Sequence, residues 1–194
     1  MISYDEKTAL IVVDMQNDFA DINGSLYVSG GDALVGPINR EIVRATAAGA
    51  FVVYTQDWHP PTTPHFEKDG GIWPVHCVGG TNGADLHPRL LIVGPVVRKG
   101  VDGEDGYSGF TMRDPITGDS VPTALTGLLQ RQAIESTIVV GLAIDYCVGA
   151  TALDSVAAGF NTTTSVSLTA AVDLQPGDGD RMIADLRSGG VAIV

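Results

Sequence analysis

Cys147 follows an apolar segment and precedes a stretch that is predicted to be helical. Residues 139–148 have the sequence VVGLAIDYCV, so small and apolar side chains lead directly to the thiol. A thiol at a helix N-terminus lies at the positive end of the helix dipole, beside free backbone N–H groups that favour a thiolate and can hold an oxyanion. The alternative is a buried cysteine that only fills space as a small hydrophobic residue. The residues that accompany Cys147 elsewhere in the chain favour a nucleophile.

Asp14 and Lys99 occupy the same kind of position as Cys147. Asp14 follows the apolar run at residues 8–13, and Lys99 ends a short apolar segment at residues 94–99. Because the carboxyl ends of parallel strands lie at one edge of a sheet, we expect Asp14, Lys99 and Cys147 to converge there. A carboxylate can take the thiol proton while an ammonium group stabilises the charge that results. For Asp14 taken alone, a solvated loop aspartate is the alternative.

A further group of polar residues follows the second apolar run of the chain. Asp57 and His59 alternate along an extended backbone, so both can point the same way, and a proline-rich turn can return His65 beside them. His76 adds a third imidazole, which places three of the chain's four histidines within this segment. One carboxylate and three imidazoles suit Zn²⁺, Mn²⁺ or Fe²⁺, so we predict one divalent metal ion per chain. The fourth histidine, His87, is expected to be a surface or capping residue.

The elements that must position these side chains alternate between strands and helices. Six strands are predicted, at residues 8–13, 50–55, 94–99, 137–141, 161–167 and 191–194. Helices are predicted from an N-cap at Asp32 to residue 48, at residues 122–132, at residues 147–158, and after a cap at Asp178 or Asp180. We therefore expect one α/β domain over residues 1–194, a three-layer, doubly wound, mainly parallel six-stranded sheet with helices on both faces. Residues 100–118 are expected to form a loop near the site or a mobile lid.

The net charge of −12 argues against nucleic acid and anionic membranes as partners, because phosphates would be repelled. No apolar run approaches the roughly 18 residues of a membrane span, and no secretory signal is visible. Two cysteines far apart suit a reducing compartment better than a disulfide framework. No glycine-rich phosphate loop follows a strand, so no nucleotide cofactor is expected. These features predict a cytoplasmic protein that binds a small neutral or weakly charged molecule.

Six short segments carry most of the reactive and aromatic side chains considered above. They are VDMQNDF at 13–19, DWH at 57–59, WPVHCV at 73–78, KG at 99–100, YSGF at 107–110 and GLAIDYCV at 141–148. In type, order and coverage of the chain they resemble the nicotinamidases (pyrazinamidases) of the isochorismatase-like cysteine hydrolase family. The resemblance implies a catalytic triad of Asp14, Lys99 and Cys147. It also implies four metal ligands, which are Asp57, His59, His65 and His76.

The resemblance implies further features of the site. The backbone N–H groups of Ala143 and Cys147 would form an oxyanion hole, with a cis peptide bond between Leu142 and Ala143. Phe19 and Trp73 would hold a pyridine ring between them. The expected substrate-binding residues are Phe19, Trp73, Tyr107, Ala143 and Tyr146.

The activity that the resemblance implies is hydrolysis of nicotinamide to nicotinate and ammonia through a thioester of Cys147, within NAD salvage. Pyrazinamide would be hydrolysed in the same way, and a homo-oligomer is possible. One alternative is another amidase of this superfamily, acting on a carbamoyl or ureido compound, which would share the triad but need neither a metal nor a flat aromatic slot. A non-enzymatic metal-binding or interaction protein is a second alternative, because a fold alone does not establish an activity.

Overall fold

The strands of the computed structural model, which describes residues 2–194, form one six-stranded sheet and one small hairpin. The strands are β1 (Thr8–Val13), β2 (Phe51–Asp57), β3 (Val96–Lys99), β4 (Thr111–Arg113), β5 (Ser120–Pro122), β6 (Ser136–Leu142), β7 (Asn161–Ala170) and β8 (Ala192–Ile193). The α-helices are α1 (Asn17–Ala20), α2 (Gly31–Ala47), α3 (Leu125–Arg131), α4 (Gly149–Ala157) and α5 (Asp178–Ser188). A π-helical turn, Ile144–Val148, directly precedes α4. Within residues 2–194, no helix has the length and apolar character needed to cross a membrane.

The large sheet has the strand order β3-β2-β1-β6-β7-β8, and each neighbouring pair is parallel. Helices cover both of its faces, so every residue of β1 is buried. Leu10 and Val12 pack in the core on the side of α2, whereas Ile11 and Val13 pack in the core on the side of α3, α4 and α5. The predicted three-layer, doubly wound fold is confirmed.

The carboxyl ends of β3, β2, β1 and β6 lie side by side, because these strands are consecutive in the sheet. Asp57 is paired with Lys99 between β2 and β3, and Val13 is paired with Gly141 between β1 and β6. Gly141 has a φ of 114°, and a Cβ there would lie 2.2 Å from the carbonyl oxygen of Val13, so only glycine fits. The end of β6 at Gly141 therefore packs closely against Val13 of β1, the residue that precedes Asp14.

The predicted helices begin at other residues in the structure. The last one, α5, begins at Asp178 after the N-cap residue Gly177, so neither Asp178 nor Asp180 caps it. The prediction that Asp32 caps α2 is wrong: the helix begins at Gly31, and the Asp32 carboxylate accepts a hydrogen bond from the Tyr27 hydroxyl instead. Helix α3 begins at Leu125 rather than at Pro122, because Pro122 still belongs to β5. The ends of the predicted sheet strands differ from the observed ones by at most three residues.

The segment predicted as a loop or lid over residues 100–118 contains part of a hairpin. Strand β4 lies within it and pairs antiparallel with β5, which follows it. Each strand has three residues, which is too short for an alternating pattern of apolar and polar side chains to be recognised in the sequence.

Candidate active site

Lys99 is buried between acidic side chains at the carboxyl edge of the sheet. Its Nζ lies 2.9 Å from Asp14 Oδ2 and 3.7 Å from Cys147 Sγ, and it also donates a hydrogen bond to Asp57 Oδ1. The ligand atoms of Asp14, Asp57 and Cys147 all lie within 4.8 Å of one another. The structure therefore brings together the three residues that were predicted to converge, and it adds Asp57 to them.

The two carboxylate oxygens of Asp14 have different surroundings. Oδ1 accepts a hydrogen bond of 2.6 Å from the Thr55 hydroxyl, and the Asp14 N–H donates back to the same hydroxyl oxygen at 3.2 Å. Oδ2 lies beside Lys99 and accepts no hydrogen bond from any other residue in the described part of the chain. The Asp14 carboxylate is thus held by one oxygen, while the other is available to accept a proton.

The ionisation of this cluster is set by burial and by the mutual effects of its charges. Burial raises the pKa of Asp14, and the adjacent Lys99 charge only partly opposes this rise. Burial alone would lower the pKa of Lys99, but the charges of Asp14 and Asp57 outweigh it and raise that pKa well above its usual value. Lys99 is therefore an ammonium ion.

From the sequence, the surroundings of Cys147 are expected to favour a thiolate, and the structure shows the opposite tendency. Burial raises the pKa of its thiol well above the usual value, and the carboxylate of Asp14 adds to the rise while Lys99 opposes it. Cys147 also does not open an α-helix, because it is the fourth residue of the π-helical turn Ile144–Val148 and α4 begins at Gly149. The thiol is thus neutral at rest, and its reaction requires a base.

Three histidine side chains pack against one another next to this triad; we call His59, His65 and His76 the histidine cluster. Ring centroids are 4.8 Å apart for His59 and His65, and 5.3 Å apart for the two pairs that include His76. Asp57 Oδ2 lies 3.9 Å from His59 Nε2, so the aspartate lies between Lys99 and the cluster. The segment after His76 is tied to β2, because the His59 N–H donates to the Cys77 carbonyl and the Gly79 N–H donates to the His59 carbonyl.

The histidine cluster fits a divalent metal ion. Both ring nitrogens of His59 are buried and have no hydrogen-bond partner among residues 2–194, although buried polar atoms are normally paired. The Nδ1 atoms of His65 and His76 contact Asp105 and the Pro74 carbonyl, each at 2.7 Å, which leaves their Nε2 atoms as ligands. Burial lowers the pKa of His59 to about 4 despite the opposing Asp57 charge, so its imidazole is in the neutral form that binds metals.

A cleft opens between the triad and the histidine cluster. Its wall is largely aromatic: the rings of Trp73 and Tyr146 are 4.9 Å apart, those of Tyr107 and Tyr146 are 5.1 Å apart, and Trp73 Nε1–H donates to the Tyr107 hydroxyl. The lining residues that the sequence analysis selected are Phe19, Asp57, His65, Trp73, His76, Tyr107, Ala143, Tyr146 and Cys147. The cleft therefore presents a thiol, imidazoles and flat apolar rings to one small molecule.

Comparison with known proteins identifies the family. A family model described as the isochorismatase domain matches residues 8–193. The nicotinamidase/pyrazinamidase of Mycobacterium tuberculosis is 41% identical over 169 residues, which cover 84% of this chain and 87% of that protein. This chain is an enzyme of the isochorismatase family.

Two solved structures share the whole fold. PnC1 from L. infantum in complex with nicotinate has a TM-score of 0.89 at 38% identity, and the match covers 100% of this chain and 95% of that one. The pyrazinamidase of Pyrococcus horikoshii in complex with zinc has a TM-score of 0.86 at 34% identity, with 97% and 98% of the two chains covered. The resemblance drawn from the sequence segments is confirmed.

Other predictions for this isochorismatase-family site have mixed outcomes. The peptide bond between Leu142 and Ala143 is cis, as the resemblance implied. His87 is buried rather than on the surface, and its Nδ1 accepts a hydrogen bond from the backbone N–H of Arg89 within a turn, so it does not lie at the end of a helix. Four apolar residues that line the cleft were not selected from the sequence; they are Leu26, Val28, Leu142 and Val172.

Three polar residues that the sequence analysis missed hold the site in place. Thr55 binds Asp14 as described above, and the Gln16 side chain both donates to and accepts from the Asp57 backbone, at 2.7 and 2.8 Å. The Asp145 carboxylate accepts the backbone N–H of Val172, which lines the cleft. Each of the three stands two residues from a predicted site residue in the sequence. Only Thr55 shares a strand with the predicted site residue near it, Asp57, so alternation of side chains along β2 places the two on one face but does not indicate the contact with Asp14. Gln16 and Asp145 lie outside the strands, where this spacing gives no such signal.

Proposed function

We propose that this chain hydrolyses nicotinamide to nicotinate and ammonia. The observation that carries the proposal is the composition of one cleft, in which Cys147, two histidines of the cluster and an aromatic wall face the same free space. An amidase for a flexible carbamoyl or ureido compound would need the nucleophile but not the histidine cluster or the flat rings. A pyridine carboxamide uses all three, since it offers a carbonyl carbon, a ring nitrogen and an apolar ring.

The names of the relatives support the same substrate. The Mycobacterium tuberculosis relative is a nicotinamidase/pyrazinamidase, and one matching structure binds nicotinate, which would be the product of the proposed reaction. Pyrazinamide differs from nicotinamide by one ring nitrogen, so we expect the same cleft to accept it. Hydrolysis of nicotinamide would supply nicotinate for NAD salvage.

The first chemical step joins Cys147 to the substrate. Asp14 takes the proton of the thiol through Oδ2, the oxygen without another hydrogen bond, and the sulfur attacks the carboxamide carbon. The ammonium group of Lys99, 3.7 Å from Sγ, stabilises the charge on sulfur as the proton leaves. The backbone N–H groups of Ala143 and Cys147 are assigned to the oxyanion. Asp14 then gives its proton to the leaving nitrogen, the C–N bond breaks, and ammonia departs.

The second step releases the product. A water molecule attacks the thioester carbon while Asp14 accepts one of its protons, and the C–S bond breaks to give nicotinic acid, which releases its remaining proton to solvent as nicotinate. Cys147 leaves as a sulfur anion beside Lys99 and recovers its proton from Asp14. Asp57 and the histidine cluster would hold a divalent ion, Zn²⁺, Mn²⁺ or Fe²⁺, whose Lewis acidity can fix the substrate's ring nitrogen or lower the pKa of a bound water.

Ammonia release from nicotinamide tests this proposal. The purified protein, loaded with Zn²⁺, is assayed with nicotinamide, with pyrazinamide and with a carbamoyl amino acid of similar size. We expect ammonia from the two aromatic amides and little from the carbamoyl compound. Treatment with a chelator should abolish the activity, and added metal should restore it.

Two controls decide between the proposal and its alternatives. Cys147→Ala should release no ammonia above the background, whereas Cys77→Ala should stay active because Cys77 lies outside the cleft. Ammonia from the carbamoyl compound but not from nicotinamide would favour the other amidase. The absence of ammonia from every substrate, with metal bound, would mean that this enzyme acts on none of these compounds and would overturn the proposed function.

A further inference from the structure

Asp105 connects the histidine cluster to the β4–β5 hairpin. Its Oδ1 lies 2.7 Å from His65 Nδ1, and its Oδ2 accepts a hydrogen bond of 2.6 Å from the Arg113 guanidinium. Oδ1 also accepts the Gly106 backbone N–H at 2.8 Å. The backbones of Asp105 and Arg113 bond to each other in both directions, which places the carboxylate at a fixed distance from β4.

This contact determines which nitrogen of His65 can bind a metal. A carboxylate only accepts hydrogen bonds, so His65 must carry its proton on Nδ1 and present the lone pair of Nε2. Oδ2 accepts a hydrogen bond from Arg113 and Oδ1 accepts one from the Gly106 N–H, so both oxygens of Asp105 act as acceptors. An imidazole that donates to a carboxylate is also a more basic ligand than one that donates to a neutral carbonyl.

The other two rings of the histidine cluster lack this arrangement. His76 donates its Nδ1–H to the neutral carbonyl of Pro74, and His59 has no hydrogen-bond partner on either nitrogen within the described residues. In the part of the chain that the structure describes, Asp105 is thus the one carboxylate that holds a ring of the cluster by a hydrogen bond. It also lies two residues before Tyr107, whose hydroxyl holds the cleft residue Trp73.

We propose that Asp105 is a positioning residue of the metal centre, which fixes His65 in the tautomer and orientation that present Nε2 to the ion. The inference rests on the metal site of the proposed function and adds to it a residue that does not touch the metal. Arg113 supports Asp105 but does not contact His65. Loss of the Asp105 carboxylate should therefore weaken metal binding more than loss of Arg113.

The test measures Zn²⁺ affinity directly, without an activity assay. Metal-free protein competes with a chromophoric chelator for Zn²⁺, and the dissociation constant is measured for the wild type and four variants. Asp105→Ala should weaken binding by about 10- to 100-fold, as is usual for a lost partner of a ligating histidine. Asp105→Asn keeps an acceptor without its charge and should lie between this value and the wild type. Arg113→Ala should weaken Zn²⁺ binding less than Asp105→Ala does.

Asp102→Ala is the matched control. Asp102 is an exposed acid of the same loop, and its removal changes the net charge by the same amount without touching the histidine cluster. Its dissociation constant should remain within about twofold of the wild type. Circular dichroism of the metal-free proteins checks that each variant is folded, and Asp105→Asn, which has nearly the same shape, carries the test if Asp105→Ala does not fold.

Three outcomes would overturn the inference, and they differ from one another. If Asp105→Ala binds Zn²⁺ as tightly as Asp102→Ala does, the carboxylate does not position His65. If Arg113→Ala and Asp105→Ala lose the same Zn²⁺ affinity, the effect comes from the hairpin rather than from the contact with His65. If the wild type binds no Zn²⁺, the metal site of the proposed function is wrong, and the inference falls with it.

Discussion

Lys99 Nζ lies 3.7 Å from Cys147 Sγ, yet the pKa of that thiol is raised and not lowered. Burial is the largest cause, and the charge of Lys99 does not overcome it because Asp14 and Asp57 share the same ammonium group. A cation next to a cysteine therefore does not by itself produce a thiolate. Here it stabilises a thiolate that forms only when Asp14 takes the proton.

Cys147 should be alkylated before Cys77, and activity should be lost in parallel. Cys147 lines the cleft, whereas Cys77 is completely buried, so a reagent reaches Cys147 first even though both thiols have raised pKa values. Brief iodoacetamide treatment followed by peptide mapping measures the order. Nicotinamide or nicotinate in excess should slow the modification, because each would occupy the cleft. Equal labelling of the two cysteines, or inactivation with Cys147 unmodified, would contradict this.

The sheet and the triad could be predicted from the sequence because both depend on strand order. Asp14 and Lys99 stand at the ends of apolar runs, Cys147 follows another such run closely, and parallel strands bring their carboxyl ends to one edge. The exact surroundings of Cys147 could not be predicted in this way. The π-helical turn depends on how β6 ends against β1 and not on a periodic pattern in the sequence.

The residues that support the site were harder to predict because their partners are distant in sequence. Asp105 is one of several acids in a glycine-rich segment, and its contact with His65 depends on the hairpin that holds its backbone. Thr55 binds Asp14 only because β1 and β2 are neighbours. Such contacts are set by tertiary packing. Residue types and their spacing within one segment do not predict which distant residue a side chain will contact.

Replacement of Lys99 by Met should destabilise the protein strongly. It leaves the buried carboxylates of Asp14 and Asp57 without a counter-charge, and breaking a buried ion pair in this way costs about 3–5 kcal/mol. Urea unfolding of metal-free protein at neutral pH measures the loss. The double variant Lys99→Met with Asp14→Asn should recover part of it, since one buried charge is removed.

Lys68→Met is the control for the loss of a lysine charge. Lys68 pairs with Asp69 at the surface, where its side chain is 44% exposed, and such a pair contributes below about 1 kcal/mol. A Lys99→Met variant no less stable than Lys68→Met would mean that the two buried carboxylates are not both ionised in the folded protein.

Gly100→Ala should weaken metal binding through His59. A Cβ at residue 100 would lie 2.8 Å from His59 Nδ1 and 2.9 Å from Cε1, so the ring must move. Gly103→Ala is the matched variant, since its φ of 88° is as unfavourable for alanine as the 77° of Gly100, but the nearest atom is 3.8 Å away. Both should lose similar stability on heating, whereas only Gly100→Ala should lose Zn²⁺ affinity, by about tenfold or more. If the two variants bound Zn²⁺ with equal affinity, a Cβ at residue 100 would not displace the His59 ring from its metal-binding position.

The metal content of the protein should be one divalent ion per chain, and His76 should be needed for it. Elemental analysis of protein purified without added metal gives the stoichiometry, and a value near zero that does not rise with Zn²⁺, Mn²⁺ or Fe²⁺ would contradict the prediction. His76→Ala should weaken Zn²⁺ binding by about tenfold or more, because a ligand is lost from an otherwise intact site. His87→Ala removes an equally buried imidazole that has no contact with the histidine cluster, so its Zn²⁺ affinity should equal that of the wild type. If both variants lost the same affinity, the effect would come from a general loosening of the fold and not from a missing ligand.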